Sequence, residues 1–105
     1  MKALNPLKYV VSAAEEIVGY KSLINSADSY EHAKNAAYQG IGFINSMTVF
    51  LNTMICMENN DFTESLNEVI DEWKRDIIQA LINKADETHQ NPAVLWKLYT
   101  VRDNC

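Results

Sequence analysis

Glycine and proline are scarce, three and two in a chain of 105 residues. A fold of many short strands needs many turns, and turns draw heavily on those two residues. An all-β architecture is thereby excluded, and few, long helices are expected. Cysteine is scarcer than a disulfide scaffold requires: Cys56 lies in an apolar run, Cys105 is the last residue, and no short spacing joins them. Both read as reduced thiols, Cys56 as a small hydrophobe. Met1-Lys2-Ala3-Leu4 lacks the charged-then-apolar pattern of a secretory leader, so a cytoplasmic protein is the expectation.

Reaction chemistry is missing as well. A di-metal carboxylate bundle needs Glu followed three residues later by His on two helices. The nearest approach is Asp86 with His89, while His32 directly follows Glu31. Zinc would need paired Cys or His spacings, which are absent. Gly40-Ile41-Gly42 has no third glycine and no preceding strand, so it is not a phosphate cradle. No nucleophile elbow is present either. Neither catalysis nor a metal or cofactor is expected.

Basic residues are in the minority. Nine Lys and Arg against fourteen Asp and Glu give a formal charge of -5, which repels a phosphate backbone and favours basic partners. Nucleic acid is therefore not an expected partner. Charge is wholly absent from Asn35 to Met57, long enough to cross a bilayer. Asn35, Gln39, Asn45, Ser46, Thr48, Asn52 and Thr53 interrupt that stretch, and polar side chains facing lipid are costly. The expectation is a helix in water rather than a membrane span.

What is abundant is apolar periodicity: 48% of the residues are hydrophobic, enough for a single domain over 1–105. Asn5-Pro6 is a helix-start pair, because Asn accepts an orphan amide and Pro has none to satisfy. From there Val10, Val11, Ala14, Ile17, Val18 and Ile24 recur at three and four, to about Asn25. Asp28 and Glu31 have capping-box spacing and start a second helix. Its tracks repeat every seven residues: Tyr30, Ala37, Ile44, Leu51 on one and Ala33, Gly40, Met47, Met54 on the other, flanked by Ala36, Phe43, Phe50 and Met57. Apolar around more than half its circumference, it is expected to be the central element. Asn45 and Asn52 share a stripe, either buried with partners or exposed.

Asp61 and Glu64 repeat the capping-box spacing, and a third helix carries Phe62, Leu66, Val69, Ile70, Trp73, Ile77, Ala80 and Leu81 to about Ala85. Asn91-Pro92 opens a short fourth helix with Val94, Leu95, Leu98 and Val101. The fold class is all-α: an antiparallel bundle of three long helices plus a short C-terminal one. A straight second helix of about 42 Å exceeds the roughly 35 Å diameter of a compact domain of this size. Either it bends at Gly40-Ile41-Gly42, or the bundle is elongated and its overhang pairs with another copy.

Glu64, Glu68, Asp71 and Glu72 stack along one face of the third helix, opposite much of its apolar stripe, with Lys74 and Arg75 nearby and Asp71 in reach of Arg75. The face is either solvated or a dock for a basic protein. Trp96 and Tyr99 share a second face of the fourth helix, where they close the bundle's end or anchor an interface; Tyr20, too, lies off the core stripes. The expected function is a small acidic protein-binding module, an inhibitor, immunity-type or regulatory protein that blocks a basic partner protein through Glu64, Glu68, Asp71, Glu72, Trp96 and Tyr99. The alternatives are a self-associating structural or accessory protein, a homodimer through the second helix, and a binder of small apolar ligands between Met and Phe residues of that helix.

Overall fold

The computed structural model describes residues 6–56 and 62–104, with side chains described for 8–53 and 65–104. The fold is an all-α bundle of four helices: α1 Pro6–Ser26, α2 Tyr30–Cys56, α3 Phe62–Glu87 and α4 Pro92–Asp103. No strand occurs among the described residues. The expected starts at Asn5 and Asp61, and the Glu64 side chain, lie outside what is described. α4 starts as expected: the Asn91 Oδ1 accepts the Ala93 amide at 2.9 Å, and Pro92 occupies the first turn. For α2 the cap is Ser29, whose Oγ accepts the His32 amide at 3.2 Å, and not Asp28. Ser29 stands immediately before the first helical residue, where an N-cap must be.

The bundle is elongated, 53 × 24 × 14 Å. α2 runs unbroken through Gly40 and Gly42, so elongation rather than interruption of the helix accommodates its length. Its small first half allows close approach: a Cβ added at Gly40 would lie 3.3 Å from Tyr20 and from Ile77, which makes Gly40 the point where α1 and α3 meet α2. Ala33, Ala36 and Ala37 are buried beside it, and Ile44 and Leu51 fill the wider lower half. Thr48 and Thr53 give their hydroxyls to the carbonyls of Ile44 and Val49, which satisfies polar groups inside the charge-free stretch. Asn45 is exposed and Asn52 half-buried, so the two do not share one environment.

Two expectations about the core are corrected. On α1 the buried residues are Ala13, Ile17 and Ile24, while Val11 and Val18 face water. The sequence offers apolar residues on two adjoining stripes, and α1 packs only on α2 and α3, so one stripe suffices. Tyr20, which the periodicity left unexplained, packs its ring on Phe43 at 5.8 Å, and Tyr9 meets Phe50 edge-on at 5.2 Å. The central element is α3, not α2: it alone packs against all three other helices. Leu66, Ile70, Trp73, Ile77, Ala80, Leu81 and Ala85 are buried as the stripe predicts, and Ile78 and Ile82 widen it. α2 has a broad apolar girth but no contact with α4, so part of that girth stays open.

The ends of the helices are closed by two devices. Lys84 is buried, 6% exposed, and its Nζ donates to the carbonyls of Asn25 at 2.9 Å and Ala27 at 3.2 Å, a cation on the C-terminal carbonyls of α1. α3 ends with His89 at φ 58°; the Gln90 amide bonds the Ala85 carbonyl and the His89 amide that of Asp86, the Schellman arrangement that turns the chain into α4.

Candidate functional site

The outer face of α3 carries the expected acidic row. Glu68 and Glu72 are exposed and Asp71 is half-buried, one turn apart as their spacing requires. Asp71 makes no ion pair with Arg75 among the described residues; the α3 acids that do find a base are Asp76, 3.7 Å from Lys21 of α1, and Glu87, 3.4 Å from Lys84. The correction has a local cause, since a surface pair gains little over two solvated ions. Glu68, Asp71 and Glu72 make no ion pair among the described residues.

α4 has no buried residue, because it packs on α3 alone. Leu98 is its contact with the core, whereas Val101, expected on the same inner face, is more than half exposed. Trp96 is 73% exposed and does not close the bundle's end. Tyr99 is less exposed because the Arg102 guanidinium lies 4.9 Å from its ring centroid. Arg102 also donates to the Gln79 Oε1 at 2.8 Å, which ties α4 to the polar side of α3. No hydrogen bond or ion pair joins Trp96 or Tyr99 to the acidic row among the described residues.

A third feature escaped the sequence. α4 leans on α3 without reaching α2, and the space between is a groove of about 390 Å³. Ala37 and Ile41 of α2, Ile78 and Leu81 of α3 and Leu98 of α4 line it, with Tyr30, Lys34, Tyr38, Asn45, Lys74 and Val101 around them. Lys34 is held by Glu31 at 3.2 Å and lies 6.0 Å from the Tyr30 ring centroid. The hydrogen bond to Glu31 raises the Lys34 pKa above its ordinary value. Burial raises that of Tyr30, against the pull of Lys34. The available signal was Lys34 and Tyr38, four apart and off the core tracks, following Tyr30 at the head of one; its meaning depended on where α4 would lie.

Among the described residues no group of His, Cys, Asp and Glu could hold a metal ion, and no helix is long and apolar enough to cross a membrane. Comparison with family models, with curated proteins and with solved structures finds no match.

Proposed function

We propose that this chain is a protein-binding module of the inhibitor, immunity or regulatory kind, acting in the cytoplasm on a basic partner protein. The observation that carries the reading is Trp96, 73% exposed on a helix with no buried residue. Trp is the residue most often found as an interface anchor, and a free surface rarely leaves one uncovered. The carboxylates of Glu68, Asp71 and Glu72, without an ion pair among the described residues, supply the long-range attraction for a basic surface, with Glu64 continuing the row in sequence. An antiparallel course of the helices is part of the proposal, supported by the ring pairs Tyr9 with Phe50 and Tyr20 with Phe43.

The test begins with photo-crosslinking from position 96 in the native host, followed by calorimetry on the purified pair. Glu68→Lys with Glu72→Lys is expected to weaken binding tenfold or more at low salt and less at high salt, and Trp96→Ala to cost about 2 kcal/mol. A crosslinked partner that binds all variants equally disproves the reading.

A homodimer through α2 is the second reading. Tyr38, Gly42, Asn45 and Val49 form one outer stripe of the charge-free stretch, with Tyr38 and Val49 both 68% exposed and Gly42 open. An uncharged strip with a small residue at its middle admits another helix closely. Sedimentation decides it: a monomer at micromolar concentration removes this reading, and Val49→Lys converts a dimer to monomer.

A further inference from the structure

The groove between α2, α3 and α4 has an apolar floor and, in Lys74, a cation without an ion pair among the described residues. Lys34 has Glu31, but Lys74, half-buried at the groove, has no ion pair or hydrogen bond among the described residues. Among the described lysines, Lys21, Lys34 and Lys84 each have a carboxylate within 4 Å, whereas Lys8, Lys74 and Lys97 have none, and of these three Lys74 lines the groove. A lysine left free beside apolar side chains is where an anionic head joined to an apolar body would be drawn.

The contacts between helices say which end of the groove this is. Gly40 lies against Ile77, and Lys84 reaches the carbonyls of Asn25 and Ala27 just ahead of α2. Residue numbers on α3 therefore rise toward the start of α2, and Lys74 lies beyond Gly40, on the Asn45 side. The exposed Asn45 amide is a second donor there. From the level of Asn45 back to Ala37 the groove follows α2 for about 12 Å, the length of an extended chain of roughly eight to ten carbons. By helix spacing Glu72 lies on the far side of α3 from Lys74, while Asp71, one turn before Lys74, makes no ion pair with it among the described residues.

We infer that the groove binds a medium-chain fatty carboxylate, its head at Lys74 and Asn45 and its chain along Ile41, Ile78 and Leu98. A volume of about 390 Å³ holds one such chain. The head contributes a charge-assisted hydrogen bond and the chain contributes buried apolar area.

The probe is decanoate, titrated into the full chain below its self-association concentration, followed by calorimetry and by amide shifts. Saturable one-to-one binding is expected, with shifts at Ile41, Ile78 and Leu98. Decanol, which lacks the charge, and the Lys74→Gln variant with decanoate should each bind about tenfold more weakly. Lys97→Gln, on α4 outside the groove, should bind as the parent does, and circular dichroism checks that both variants keep their helices. No saturable binding, equal affinity for decanol, or equal affinity of Lys74→Gln overturns the inference. So does a dimer that covers the groove and that decanoate fails to dissociate.

Discussion

At Lys84, a residue that periodicity assigns no role, one side chain holds two segments together. Its ammonium is nearly excluded from water and bonds two carbonyls at the end of α1, with Glu87 3.4 Å away as counter-ion. Lys84→Met keeps the stem and removes the donors, leaving carbonyls without partners. Urea denaturation should show a loss of about 1–3 kcal/mol, the cost of stranding such groups. Lys21→Met, which breaks a more exposed pair with Asp76, should stay within about 0.5 kcal/mol. Nothing in the sequence separates these two lysines. Both stand on helices beside apolar residues, and only the arrival of Asn25 and Ala27 against α3 makes Lys84 structural. Ser29 and Asp28 show the same limit on a smaller scale, since adjacent cap-forming residues differ by which one the helix starts after.

Among the elements, α3 was the most legible and α4 the least. The α3 stripe from Leu66 to Leu81 has no competing apolar face, so its buried side follows from spacing alone. α1 offered two stripes, and packing chose Ala13 over Val11 and Val18. On α4, Leu98 was placed correctly, but nothing local fixes how a short helix leans, and so the groove and the exposure of Trp96 emerged only from the tertiary arrangement. The acidic row was legible as a row; that Glu68, Asp71 and Glu72 form no ion pair among the described residues was not. α2 offers a direct test of close packing through its two glycines. Gly42→Ala adds a methyl into open space and should stabilise by about 0.5–1 kcal/mol through helix propensity. Gly40→Ala meets Tyr20 Cβ, which is fixed to the α1 backbone, and Ile77 at 3.3 Å. It should destabilise, because α1 has to move outward and loosen contacts around Ile17 and Ile44. Thermal melts of the two variants should therefore shift in opposite directions.

For the whole molecule, alkaline pH is the informative variable. Tyr30 has its pKa raised above 10.0 by burial, so the fold favours the neutral phenol. The stability this gives is complete below the unfolded value and lost as pH rises through the folded one. Lys34, raised above 10.5 by its hydrogen bond to Glu31, acts in the same direction, favouring the charged form below its titration. Urea midpoints should thus fall as pH passes about 10, and Tyr30→Phe should flatten part of that fall. The opposite slope would contradict the placement of both groups.

The slab-like proportions of the bundle carry a thermal consequence. A monomer of 11.9 kDa ordinarily exposes about 5,900 Å², whereas this chain exposes 6930 Å². Less surface is hidden on folding than is usual for its length, and the heat capacity of unfolding follows hidden apolar area. Scanning calorimetry should give a value about a tenth below the average for a chain of this size. The resulting free-energy dome is shallower, so stability changes little between a cold and a warm day.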